Sequence, residues 1–160
     1  MLLPIRAAAT AIDFAQARTL FQEYAEWLAV DLCFQGFAEE LATLPGAYAR
    51  PRGMLMLAGP PDAAIGCIAL RPIAAENAHS AAAEVKRLYV RPVARGTGLG
   101  RRLVQTAIDG ARAIGYGELK LDTLDRMAEA RSLYAKLGFS ECAPYYHNPI
   151  AGAVYMAMVL

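Results

Sequence analysis

The 160-residue chain has three cysteines, two histidines and no apolar run long enough to span a membrane. Cys33, Cys67 and Cys142 are odd in number and far apart, so neither a disulfide framework nor a zinc-binding spacing is present. The first residues lack a basic leader and are interrupted by Pro4 and Arg6, which argues against a signal peptide. These absences predict a protein of a reducing cytoplasm, without a membrane span.

Charge is also scarce, because 19% of the residues are charged and the net charge is only +1. We therefore expect no nucleic-acid footprint. A hydrophobic fraction of 56% predicts one globular domain over residues 1–160 with a substantial core. The positive charge is concentrated at Arg87, Arg91, Arg95, Arg101 and Arg102.

That cluster lies in a stretch that predicts a strand, a glycine-rich loop and a helix. Residues 84–90 form the strand, which Pro92 ends because it has no N–H to donate. The helix is indicated by apolar residues at helical spacing, Leu99, Leu103, Val104, Ala107, Ile108 and Ala111. The loop between them reads Arg95-Gly96-Thr97-Gly98-Leu99-Gly100. Because a helix begins here with unpaired N–H groups, the stretch predicts a phosphate-binding site.

Three nucleotide-binding loops contain such glycines. A Walker loop is excluded, because it ends in Gly-Lys-Ser/Thr and here Arg101 and Arg102 follow Gly100. The even glycine spacing disfavours a dinucleotide-binding loop, which stays open because Asp122 lies about where a ribose-binding acid would stand. The third pattern is Arg-x-x-Gly-x-Gly.

In Arg95, Gly98 and Gly100 the chain resembles the GNAT superfamily of N-acetyltransferases. A second motif agrees, because the family's Leu-Tyr-x-x-x-Gly-Phe helix end is found at residues 133–139. The similarity runs from about residue 55 to residue 160. One position departs from it: the family often has an asparagine seven residues before the tyrosine, where this chain has Met127.

The resemblance implies that acetyl-coenzyme A is the acyl donor and that no metal is needed. It implies that the loop holds the pyrophosphate through Arg95, Gly96, Thr97, Gly98, Leu99, Gly100 and Arg101. It also implies that the backbone of Leu88, Tyr89 and Val90, beside a strand bulge, polarises the thioester carbonyl. Tyr134 would be the general acid; from helical spacing alone it is a core residue.

The acceptor side is less determined. A primary amine with a pKa of about 10.4 is mostly protonated at neutral pH, so a base is needed. Glu84, on the strand before the loop, is the leading candidate, acting directly or through a water, and an ordinary solvent-facing carboxylate is the alternative interpretation. Other candidate bases are Glu23, Asp31 and His147. Phe34 and Phe37 are candidate acceptor-pocket residues by analogy, or simple packing residues.

The remaining patterns predict strands at residues 3–7, 54–58, 64–70, 118–122, 142–145 and 153–159, and helices at residues 10–32, 37–44 and 127–137. Residues 71–80 are expected to be a polar loop. A crossover from residue 90 through a helix to residue 119 implies an α/β (α+β) fold with helices on both faces. The resemblance implies a mostly antiparallel central sheet.

The predicted function is transfer of an acetyl group to an amine of a small molecule, a protein N-terminus or a lysine. The alternative is a GNAT-like module that binds the coenzyme without catalysis, a reading that Tyr134 argues against and Met127 leaves open. Residues 153–159 are apolar on both faces, so we expect a covered strand, and a homodimer through this strand is a hypothesis.

Overall fold

The computed structural model describes residues 1–73 and 81–160, and within these the chain forms seven strands and four α-helices. The strands are β1 (Ile5–Ala7), β2 (Met54–Ala58), β3 (Gly66–Pro72), β4 (Ala82–Val90), β5 (Glu118–Leu124), β6 (Ser140–Glu141) and β7 (Ala153–Val159). The helices are α1 (Ala11–Leu28), α2 (Phe37–Thr43), α3 (Leu99–Ile114) and α4 (Ala128–Leu137). In this part of the chain no helix is long and apolar enough to cross a membrane.

The strands form one sheet in the order β1-β2-β3-β4-β5-β7-β6. Every neighbouring pair is antiparallel except β4 and β5, which are parallel because α3 carries the chain back across the sheet. The predicted mixed fold with a mostly antiparallel sheet is confirmed.

Helices cover both faces of this sheet. The six apolar residues predicted as the inner face of α3 are all buried, and they pack in one core cluster with Leu119, Leu121 and Tyr134. On the other face α1 contributes Phe21 and other apolar residues to a second cluster. The start of α1 is fixed by a capping box between Thr10 and Asp13, as the sequence predicts.

Several element boundaries differ from the sequence prediction by one or two residues, and three differences have a clear cause or consequence. Residues 142–145 are not a strand, because Pro144 has no N–H for the ladder, and the last short strand is β6. Helix α1 ends at Leu28 rather than near Leu32, since Ala29 takes a left-handed conformation. Of the polar loop predicted at residues 71–80, Arg71 and Pro72 belong to β3 and Ile73 follows the strand. Residues 74–80 lie outside the described residues.

Strand β7 is an internal strand over part of its length. It pairs with β5 along all seven of its residues, whereas β6 pairs only with Met156 and Ala157 on the other side. Most of its outer edge is therefore not covered by β6.

Candidate active site

The two parallel strands separate and leave a cleft between them. β4 pairs with β5 only over Ala82–Glu84 and Glu118–Lys120, and beyond these residues the two strands no longer pair with each other. Ligands commonly bind outside the carboxyl ends of neighbouring parallel strands. The cleft is lined by Tyr24, Leu28, Leu32, Gln35, Val85, Lys86, Arg87, Leu88, Leu121, Asp122, Thr123, Leu124, Met127, Tyr134, Asn148 and Ile150.

A β-bulge shapes the β4 side of this cleft. Cys67 faces Tyr89 and Ala69 faces Lys86, so one extra residue of β4 lies between these pairs. Arg87 has a φ of 61°, a left-handed conformation that is uncommon for a residue with a side chain. The bulge interrupts the alternation of the strand and brings the consecutive side chains of Lys86 and Arg87 to the α1–α2 face, where their polar partners lie. It directly precedes Leu88, Tyr89 and Val90, the backbone expected to polarise the thioester carbonyl.

The glycine-rich loop ends in an open helix N-terminus. Gly96 and Gly98 have φ values of 76° and 82°. A Cβ at either position would meet no atom within 4 Å, so the left-handed backbone, and not a lack of space, explains the glycines. The first backbone bond of α3 runs from the Arg102 N–H to the Gly98 carbonyl at 3.1 Å. The N–H groups of the three preceding residues, Leu99, Gly100 and Arg101, have no acceptor among the described residues. The Thr97 hydroxyl donates to the Ala94 carbonyl at 2.7 Å and so braces the loop.

Arg95 stands at the entrance to the cleft. Its Nε donates to the Val90 carbonyl at 2.9 Å, and its guanidinium lies 4.9 Å from the ring centre of Trp27 and 5.8 Å from that of Tyr89. A recess beside it is lined by Trp27, Leu28, Arg95, Arg126, Met127, Ala128, Glu129 and Ala130. Leu28 and Met127 line both the recess and the cleft, so the two spaces are neighbours. Arg126 adds a cationic residue that sequence reasoning missed.

Tyr134 borders the inner part of the cleft from helix α4. Its residue is 7% exposed, and its ring packs edge-on against Phe139 at a centroid distance of 5.8 Å. Burial, together with nearby Tyr24 and Asp122, raises the pKa of Tyr134 above its ordinary value. No hydrogen-bond partner of the hydroxyl is found in the described part of the chain. A protonated phenol therefore borders the cleft.

Glu84 lies where β4 and β5 still pair, and it does not line the cleft. The residue is 5% exposed, which contradicts the solvent-facing interpretation. Its carboxylate accepts from Arg71 Nε at 2.6 Å and from the Tyr145 hydroxyl at 2.8 Å, and Lys86 Nζ is 3.7 Å away. Lys86, which does line the cleft, connects Glu84 to Asp122 on β5 through a 3.1 Å ion pair.

Asp122 is the carboxylate that lines the cleft itself. Besides Lys86 it accepts from Asn148 Nδ2 at 2.9 Å and from the Tyr146 hydroxyl. Burial would raise the pKa of Asp122, but these three partners outweigh burial and hold it below its ordinary range. Sequence reasoning noted Asp122 only as a candidate ribose-binding acid. Its place beside Lys86 depends on strand pairing, which no local pattern in the sequence shows.

The other candidate bases either bind other partners or lie outside the cleft. Glu23 forms a two-bonded ion pair with Arg91 at 3.0 and 2.7 Å, and the Asp31 carboxylate accepts from the Cys33 N–H at 2.8 Å. His147 lies on an open outer surface and does not line the cleft. Of the two candidate pocket aromatics, Phe37 packs against core residues and faces the Arg87 guanidinium, and Phe34 is exposed.

A splayed pair of parallel strands, a bulge beside the opening and a helix N-terminus with unpaired N–H groups are the features that the resemblance to acetyltransferases implies. Solved structures share this fold. An acetyltransferase from Streptococcus agalactiae superimposes with a TM-score of 0.79 at 21% identity, covering 99% of this chain and 98% of that one. A Salmonella typhimurium protein with its cofactor acetyl-CoA gives a TM-score of 0.68 at 18% identity, covering 99% and 94%.

The family is shown by sequence comparison. The model of the acetyltransferase (GNAT) family matches residues 16–139. An uncharacterised N-acetyltransferase of Schizosaccharomyces pombe is 40% identical over 147 residues, which covers 91% of this chain and 88% of that relative. The chain therefore belongs to the GNAT acetyltransferase family, whose acyl donor is acetyl-coenzyme A.

Proposed function

We propose that the protein transfers an acetyl group from acetyl-coenzyme A to an amine by direct attack within the cleft between β4 and β5. The observation that carries this proposal is that the cleft lined by Tyr134 adjoins the recess beside Arg95, since Leu28 and Met127 line both. The pyrophosphate would bind the N–H groups of residues 96–101 at the positive end of the α3 dipole, with Arg95 and Arg101 beside it. The thioester would then reach inward between the strands.

Leu88, Tyr89 and Val90 are proposed to polarise the thioester carbonyl through backbone N–H groups. The bulge at Arg87 supports this role, because a bulge leaves one residue of the strand without its ladder partner. Donors fixed in this way stabilise the charge on a tetrahedral intermediate without rearranging during the reaction.

Tyr134 is proposed as the general acid. As the amine nitrogen attacks the carbonyl carbon, the carbon–sulfur bond breaks and the departing thiolate takes the Tyr134 proton. A phenol of ordinary pKa about 10 can protonate a thiolate whose conjugate acid has a pKa near 8.5. Burial raises the pKa of Tyr134, which keeps the phenol protonated until the thiolate forms beside it. The hydroxyl borders the cleft and has no partner in the described part of the chain, so its proton is not committed to another acceptor.

Glu84 is proposed as the base that accepts the proton of the attacking amine, through a water. Glu84 does not line the cleft, and its carboxylate lies close to Lys86 and to the Tyr145 hydroxyl, so a direct contact with the acceptor is not expected. Asp122 is a second candidate, because it lines the cleft. The loss of turnover in Glu84→Gln and in Asp122→Asn distinguishes these two candidate bases.

Titration calorimetry with coenzyme A, run beside a thiol-release assay on a panel of amines, tests the proposed function. We expect coenzyme A to bind and at least one amine to release thiol from acetyl-coenzyme A well above the rate of spontaneous hydrolysis. Binding without release for any amine would contradict catalysis and would favour the alternative, a coenzyme-binding module without turnover.

We further propose that residues 1–160 act as one acetyltransferase domain in the cytoplasm, where its three free cysteines would stay reduced.

A homodimer through the outer edge of β7 is proposed because β6 covers only two residues of that edge. Light scattering at micromolar concentration would give the mass of two chains, and the mass of one chain would contradict the dimer.

A further inference from the structure

Two segments that are far apart in sequence border the cleft on the face of the sheet that carries Lys86 and Asp122. The first wall, residues 28–37, contributes Leu28, Leu32 and Gln35, and the second wall, residues 145–150, contributes Asn148 and Ile150. The Gln35 Nε2 atom donates to the Tyr146 hydroxyl at 3.3 Å and thereby connects the two walls.

That bridge belongs to a longer chain of polar contacts. Arg87 donates to both carboxylate oxygens of Glu40, at 2.8 and 3.1 Å, and to Gln35 Oε1 at 2.9 Å. Gln35 is thereby fixed at one end of its amide by Arg87 and at the other end by Tyr146, whose hydroxyl donates to Asp122. Arg87 is 3% exposed, whereas Gln35, Glu40 and Tyr146 are half-buried, so the chain of contacts runs from the interior to the rim of the cleft.

Apolar packing connects the same two walls. Leu28, Leu32 and Leu124 form a buried cluster with which Ile150 and Met127 pack. Arg126 also donates to the Leu28 carbonyl at 2.6 Å and so ties the start of α4 to the end of α1. Apolar side chains and the Arg126 hydrogen bond thus join the two walls. Two loops that stood apart would instead leave a groove between them.

We infer that the acceptor is a small amine and not the terminus or lysine of a protein, because the Gln35–Tyr146 hydrogen bond and the apolar cluster join the two walls across the cleft. An extended peptide advances about 3.3 Å per residue and needs partners for its backbone N–H and C=O groups. Seating such a peptide would require the Gln35–Tyr146 contact to break. This inference rests on the proposed acetyl transfer and names the acceptor class of the same site.

A size-graded panel of amines tests the inference without any substitution. The panel would contain free amino acids, polyamines, arylalkylamines, and peptides of 2 to 12 residues, all assayed for thiol release from acetyl-coenzyme A. We expect the best small amine to exceed every peptide longer than three residues by at least tenfold in kcat/KM. A long peptide within threefold of the best small amine would overturn the inference, while the proposed catalysis would stand. Absence of release with every amine would instead overturn the proposed catalysis and this inference with it.

Gln35→Ala removes the bridge from one side. We expect the ratio of kcat/KM for a long peptide to that for the best small amine to rise at least fivefold, and Tyr146→Phe, which keeps the ring, to raise it as well. Gln105→Ala is the matched control, because Gln105 is exposed on α3 and hydrogen-bonds only Asp109 there. An unchanged ratio in both folded bridge variants would contradict the assignment of Gln35 and Tyr146 as specificity-determining residues.

Discussion

The donor side and the acceptor side of the cleft are built from different kinds of contact. On the donor side, backbone N–H groups at the start of α3 face outward, and neighbouring residues from one short loop set their geometry. On the acceptor side, buried and half-buried charged side chains from α2, β3, β4 and β5 form ion pairs. Tyrosines of the 145–150 segment donate hydrogen bonds to the carboxylates of these pairs. A local backbone site can be shared by many related proteins, whereas a side-chain network that joins distant segments can differ in each.

If this comparison is correct, substitution of Tyr134, which borders the cleft where the thioester and the acceptor would meet, has the largest effect on turnover. Tyr134→Phe removes only the hydroxyl, so we expect turnover to fall about a hundredfold or more while coenzyme A affinity stays nearly intact. The unfolding free energy should stay within about 1 kcal/mol of the parent, because the ring keeps its contact with Phe139. Steady-state kinetics, calorimetry and thermal melts would be measured together.

Phe139→Leu is a control for packing, because it changes the ring that Tyr134 contacts and leaves the hydroxyl in place. Turnover of Tyr134→Phe within a few-fold of the parent would show that water or another group protonates the sulfur.

The next largest loss of turnover is expected from a substitution on the acceptor side. Glu84→Gln removes the proposed base while keeping an amide that can still accept from Arg71, and we expect turnover to fall by about tenfold to a hundredfold. Coenzyme A affinity should change little, since Glu84 does not line the cleft. Asp122→Asn is the paired variant. A larger loss of turnover in Asp122→Asn, at matched melting temperature, would reassign the base to Asp122.

A smaller effect is expected from the donor loop. Gly98→Asp places a carboxylate beside the proposed pyrophosphate site, so coenzyme A affinity should weaken by about tenfold or more through charge repulsion. Any side chain is strained at the Gly98 φ of 82°, and Gly98→Ala therefore serves as the control for strain. Equal coenzyme A affinities in the aspartate and alanine variants would show that charge repulsion plays no part, and would contradict pyrophosphate binding at this loop.

The smallest effect on activity is expected where the fold is stabilised far from either ligand. The N–H of Ala9, with further bonds from Arg6 and Thr10, lowers the pKa of Asp13 to about 2 against the opposing effect of burial. A lowered pKa contributes stability that is present above the unfolded value of 3.8 and is lost as pH falls through about 2. Asp13→Ala should therefore cost about 2 kcal/mol of unfolding free energy at pH 7.

This difference between Asp13→Ala and the parent should shrink as the pH falls from about 4 to 2. Acid titration of the melting temperature would measure it, with Asp62→Ala as the control at an exposed aspartate. A difference independent of pH would show that lost packing, and not the ion pair and cap, explains the effect.

The same division explains how much could be predicted from the sequence. Periodicity and turn residues indicated β2, β7 and the inner face of α3, because these depend on nearest neighbours in the chain. Glycines at positions 96, 98 and 100 indicated the helix N-terminus for the same reason. The Lys86–Asp122 pair and the Gln35–Tyr146 bridge could not be predicted, because partners 36 and 111 residues apart meet only in the folded sheet. The strand predicted at residues 142–145 is wrong because the apolar pattern was given more weight than Pro144.

Amide hydrogen exchange with and without coenzyme A tests the central claim most directly. The backbone N–H groups of residues 96–101 are proposed to bind the pyrophosphate, so peptides covering residues 95–104 should show the strongest slowing of exchange when the coenzyme is added. Peptides covering residues 33–43 and 145–150, on the acceptor side, should change little. Strong protection on the acceptor side with none at residues 95–104 would contradict the account.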